Sequence, residues 1–119
     1  MNVKKESILK IIFILWSVIV FFAVAWPVPV SVEQTVDYSD KLIHAILFGF
    51  FSYLLAINLK FSDRKRWVII ITSFFFSNFY AILGELVQFY VPGRTPSFFD
   101  FIAGLSGILI SQIVFYVKE

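Results

Sequence analysis

The sequence contains no cysteine, which excludes a disulfide framework and any metal site built on thiolates. Charge is scarce as well. Charged residues occupy 15% of the 119 positions against 60% for hydrophobic ones, and the mean hydropathy is +0.88. So few polar groups cannot cover the apolar surface of a soluble domain this size, so a lipid bilayer is the expected solvent. The formal charge of +2 is too small to indicate a nucleic-acid partner. Internal repeats, low-complexity tracts and soluble domains are also missing, and residues 1–119 read as one domain.

What is present is a set of long apolar runs. A spanning helix needs about 20 mostly apolar residues, and four stretches reach or approach that length. They run from Ile8 to Trp26, Lys41 to Leu59, Trp67 to Phe89 and Phe98 to Val117. The links are short, which predicts an all-α, up-down four-helix bundle integral to a membrane. Lys4, Lys5, Lys10, Lys60, Arg64, Lys65, Arg66 and Lys118 fall on one side of these spans, and only Lys41 and Arg94 on the other. The positive-inside rule therefore predicts cytoplasmic N- and C-termini. Lys4, Lys5, an apolar run and "AVAW" also imitate a secretory signal. That run is long for a signal core, and the segment is expected to be retained as the first span.

Polar residues are concentrated near the outer ends of spans two to four. "DKLIH" opens the second span. Asp40 and His44 are four apart and share a helical face, while Lys41 points aside. Asp40 suits an N-cap, where a carboxylate meets free amides and the positive end of the helix dipole. His44, one turn further in, is either a satisfied structural residue or a functional one.

In the third span Glu85 and Gln88 share a face, and Asn78 falls on nearly the same stripe, deeper in the membrane. A carboxylate in a spanning segment costs about 2.5–3.5 kcal/mol and normally faces the bundle interior or a wet cavity. Glu85 is thus a site candidate, unless the helix ends early and leaves it among headgroups.

"YVPGRTPSFFD" has two prolines and a glycine, the composition of a tight turn, with Arg94 at its tip. Arg94 suits an anchor on lipid phosphate or a fork for an anionic ligand. Ser97 and Asp100 have capping-box spacing, with Asp in place of Glu or Gln. Ala103, Gly104, Gly107 and Ser111 form a stripe of small residues that allows close helix approach. The stripe turns Asp100 inward, although it could equally meet another protein.

Clustered by the bundle, these groups predict one polar pocket at the outer leaflet. Candidate catalytic residues are His44, Glu85 and Asp100. Candidate ligand-binding residues are Asp40, Lys41, Gln88, Arg94 and Ser97. A hydrogen-bonded network offsets the cost of burying them, and a purely structural ion network is the alternative reading.

Taken in order, D-K-x-x-H, E-x-x-Q and P-G-R-x-x-S-x-x-D resemble the VanZ-like family of small bacterial membrane proteins. The resemblance covers roughly Asp40 to Gly107 and leaves the first span as a generic helix. It implies a multi-pass protein of the bacterial cytoplasmic membrane, with the pocket on the extracytoplasmic side. It also implies a link to resistance against teicoplanin, a glycopeptide that acts on outer-face cell-wall precursors. Two positions depart from the family pattern: Ala45 stands where an aromatic is frequent, and Gly104 where an asparagine is.

Three functions fit these residues. The first is binding, or modification, of an anionic lipid or lipid-linked cell-wall precursor, with Arg94 and Lys41 on its phosphate. The second is a membrane-embedded enzyme in which His44 is general base. The third is a non-catalytic membrane partner, accessory subunit or homo-oligomer, or a small transporter with Glu85 and His44 as proton relay. Below Asn78 the spans offer only scattered hydroxyls, which argues against transport. No cofactor or metal is expected. Metal ligation by His44 with two carboxylates is a variant that no HExxH-type spacing supports.

Overall fold

A computed structural model describes residues 3–25, 38–91 and 98–119, with side chains at all of these except 38–40. The described residues form four helices: α1 (Val3–Ala25), α2 (Tyr38–Lys60), α3 (Arg66–Gln88) and α4 (Phe98–Lys118). All four are long and apolar enough to cross a membrane. At 1.5 Å per residue they run about 31–35 Å, close to the thickness of a hydrocarbon core.

The helices outrun the apolar segments at several ends. α1 starts five residues before Ile8, because Lys4, Lys5 and Glu6 are good helix formers although they are not apolar. α2 starts at Tyr38, which places Asp40 inside the first turn. That corrects its reading as the N-cap, although a carboxylate there still lies at the positive end of the dipole. α3 passes one turn beyond Glu85, so the helix does not end early. It closes through Phe89, Tyr90 and Val91, whose amides donate to carbonyls three residues back, the tightened turn common at helix ends.

α2 and α4 make the most extensive contact, α3 packs on both, and α1 lies against α2 and α3. Among the described residues the backbones of α1 and α4 do not come close. Close approach of α2 and α4 rests on glycine. A Cβ at Gly107 would stand 2.0 Å from the carbonyl oxygen of Ala45, and one at Gly49 would stand 2.8 Å from that of Gly107. The two backbones therefore touch, which only glycine permits. The stripe of Gly104, Gly107 and Ser111 is buried within the chain, so its partner is α2 and not another protein.

α1 contributes little to the interior, burying only Val20 and Val24. Polar side chains on its neighbours hold it. Tyr80 Oη donates to the Ser17 carbonyl at 2.6 Å and Asn58 Nδ2 to that of Leu9 at 3.3 Å. In return Trp16 Nε1 donates to the Leu47 carbonyl at 3.0 Å. Such bonds act between helices where no hydrophobic force separates protein from lipid.

The core near one end joins Val20, Val24, Leu47, Phe48, Ala81 and Ile108. A smaller cluster of Ala56, Ile69 and Phe115 lies toward the other. Outward faces carry exposed Phe75, Phe76, Phe79, Ile110 and Ile113, an apolar exterior of the kind lipid covers.

Candidate functional site

α2 and α4 begin, and α3 ends, at the same end of the bundle. This antiparallel arrangement brings three residues far apart in sequence to one depth. His44 lies in the second turn of α2, Glu85 in the last turn of α3 and Asp100 in the first turn of α4. One ligand-capable atom from each lies within 4.8 Å of the other two. His44 Nε2 is 3.9 Å from Glu85 Oε1. His44 and Asp100 are buried, at 3% and 6% exposure, and the Glu85 side chain is 16% exposed. Glycine explains the depth of Asp100, because the α2–α4 backbone contact turns its face of α4 inward.

Lys41 belongs to the cluster. Its Nζ donates to Asp100 Oδ1 at 3.1 Å and lies 5.9 Å from the centroid of the Phe99 ring. The sequence reading that turned Lys41 aside is corrected here. Lys41 is three residues from His44 and so shares its face of α2, and the long stem reaches across to α4.

Gln88 is buried beside the cluster, but its amide faces α1. Its Nε2 donates to the Val24 carbonyl at 3.2 Å. Val24 lies in the last turn of α1, where carbonyls have no helical partner, so Gln88 caps a neighbouring helix. Its Oε1 is buried with no hydrogen-bond partner among the described residues. The Asp40 side chain, Arg94, Ser97 and the predicted turn carrying the last two lie outside the described residues.

Asn78 does not join the stripe expected of it. It is half-buried and donates to the Phe74 carbonyl of its own helix at 2.8 Å. The inner stripe of α3 runs instead through Ser73, Ser77, Ala81 and Gln88. A second polar group lies on it, one that sequence reasoning missed. Gln112 Nε2 donates to Ser52 Oγ at 2.5 Å and to Ser73 Oγ at 2.8 Å, all three residues being buried. The hydroxyls read as scattered are gathered by three helices onto one amide. An isolated glutamine in the last apolar run was the signal available in the sequence. Between the two polar levels lie Phe48, Ala81 and Ile108, an apolar layer. No polar chain links them among the described residues.

Beside the His44 cluster an apolar groove of ≈ 170 Å³ runs between α1 and α3. Val20, Phe21 and Val24 line it from α1, Tyr80, Leu83, Gly84 and Val87 from α3, and Phe48 forms its floor. The Phe48 ring that lines the groove lies 6.2 Å from that of His44, while Lys41, His44, Glu85 and Asp100 themselves do not line it. Its rim is open to the side of the bundle, since Phe21 and Leu83 are exposed.

Chemically the site offers a cation, two carboxylates and an imidazole near a hydrocarbon-lined slot. That combination suits a molecule with a polar head and an apolar tail. Searches against protein-family profiles, curated proteins and solved structures give no match for this chain.

Proposed function

We propose that this chain is a multi-pass protein of the bacterial cytoplasmic membrane, with both termini cytoplasmic. Its polar cluster lies at the outer leaflet and binds an anionic lipid or a lipid-linked cell-wall precursor. One observation carries the reading: Phe48, which lines the apolar groove, has its ring 6.2 Å from that of His44 in the polar cluster, so an amphiphile with its head at the cluster would lay its chain beside Phe48 and Leu83. A freely soluble ligand would have no use for the groove, and a structural ion network would have no need of it. The VanZ-like pattern of residues 40–107 supports the same assignment and extends it to glycopeptide susceptibility. Arg94 is the second phosphate contact in this reading, as a planar fork beside the point charge of Lys41.

Lipid retained by the purified protein, measured by native mass spectrometry, tests the proposal. The wild type is expected to hold a phosphate-bearing amphiphile through detergent exchange. Lys41→Ala with Arg94→Ala, and separately Leu83→Trp, should release it while helicity is kept. Identical lipid retention in all three proteins would refute the reading.

Modification of the bound lipid is the second reading, favoured by His44 lying 3.9 Å from Glu85. In that arrangement the imidazole would take a proton from the head group as general base, and the nearby carboxylate would stabilise the imidazolium formed. Turnover of a phospholipid or polyprenyl phosphate, abolished in His44→Ala without loss of lipid binding, distinguishes it from binding alone.

A further inference from the structure

We infer that His44, Glu85 and Asp100 form a binding site for one divalent transition-metal ion, such as Zn²⁺ or Mn²⁺. This stands apart from the lipid-binding reading, and either can fail alone; an ion on His44 excludes its use as general base. It departs from the sequence-based expectation of no metal, which rested on the absence of HExxH-type spacing. That spacing matters only when two ligands share one helix. Here each of three helices supplies one ligand, a pattern that local sequence does not display.

The donor set is one imidazole nitrogen and two carboxylate oxygens within 4.8 Å of one another. Around an ion with bonds of about 2.0–2.2 Å, tetrahedral ligands stand roughly 3.4 Å apart. His44 Nε2 and Glu85 Oε1, at 3.9 Å, are near that separation already. The atoms lie within 4.8 Å of one another, so the widest gap exceeds that spacing by at most about 1.4 Å. The nitrogen–oxygen mixture suits Zn²⁺ or Mn²⁺ better than Ca²⁺ or Mg²⁺, which take oxygen ligands almost exclusively.

The Lys41 contact is compatible with occupation, because it uses Oδ1 and a carboxylate has a second oxygen and further lone pairs. Three protein ligands leave at least one coordination position for water or an anionic oxygen, as in metal sites that act on substrates. The two carboxylates and the imidazole are also held by separate helices whose packing fixes their spacing. The second polar group, Gln112 with Ser52 and Ser73, contains no such donors.

The chain has a single histidine, which makes the test unambiguous. Full-length protein carrying a non-histidine affinity tag is purified in detergent, stripped with chelator, incubated with Zn²⁺ or Mn²⁺ and desalted. Metal content is then measured, and the lone imidazole is followed by ¹⁵N resonance during a Zn²⁺ titration. Wild type should retain about one ion per chain, with a shift of the imidazole signal on Zn²⁺. Affinity should fall by roughly tenfold or more in His44→Ala, Glu85→Gln and Asp100→Asn, and be unchanged in Gln112→Leu. No retained ion and a stationary imidazole signal in the wild type overturn the inference, whatever the variants do. Retention undiminished by His44→Ala overturns it too, since the ion would then lie elsewhere.

Discussion

At the scale of single residues, the pairing of Lys41 with Asp100 has measurable consequences. Asp100 is nearly buried, while Lys41 keeps about a quarter of its side chain exposed. Removing the lysine therefore leaves a desolvated carboxylate without this partner, whereas removing the acid leaves a cation that can reach solvent. Lys41→Ala is expected to destabilise by about 1–3 kcal/mol, and adding Asp100→Asn should recover part of the loss. Thermal melts of the two single variants and the double variant in detergent check this, and additive losses would contradict it. Gln112 follows a different rule. Hydrogen bonds between membrane helices average only about 0.6 kcal/mol and reach about 1.7, so Gln112→Leu should cost less than Lys41→Ala. The sequence reading missed Gln112, although an uncharged polar residue in an apolar run was a signal available there. Its partners gave none, because serines satisfy their own helix carbonyls and leave no periodic trace. Lys41 was misread for a related reason: face arithmetic places a Cβ, whereas a four-carbon stem decides where the charge sits.

At the scale of helices, the crossing of α2 and α4 sets the geometry of everything above it. Gly107→Ala would drive a methyl group into the backbone of Ala45, which cannot rotate away. Gly84→Ala meets only the ends of Val24 and Phe48, at 3.3 and 3.5 Å. Overpacking typically costs about 1–3 kcal/mol. Gly107→Ala is expected at or above the top of that range, and Gly84→Ala well below it. Comparable melting temperatures for the two would show that the backbones are not in contact. Gly107→Ala should also disturb the cluster, since Asp100 rides two turns above the crossing on the same helix. The four helices were legible from hydropathy and length alone. That the small-residue stripe meets α2 was not, because glycine spacing identifies a contact face without naming the helix that fills it. Gly104 is a case in point: Phe48 lies 3.2 Å from where its Cβ would be, so the ring of α2 occupies the space a larger side chain would need.

For the whole molecule, the native absence of cysteine becomes a tool. Single cysteines in place of Ser62, between α2 and α3, and of Tyr90, just beyond α3, are exposed at opposite ends of the bundle. In intact cells a membrane-impermeant maleimide should label Tyr90→Cys at once and Ser62→Cys only after permeabilisation. The reverse pattern would invert the proposed topology and move the polar cluster to the cytoplasmic leaflet. The expected orientation comes from the uneven distribution of basic residues, a property of the linear chain, and the labelling decides it. The position of α1 was not, since its apolar surface is nearly uniform and its attachment depends on Tyr80, Asn58, Trp16 and Gln88 meeting backbone atoms. The slot between α1 and α3 opens at the side of the bundle, past exposed Phe21 and Leu83. Under the proposed lipid-binding function that doorway faces acyl chains, an occupant arrives by lateral diffusion along its own leaflet, and headgroup fragments dissolved in the medium compete for the seat only weakly.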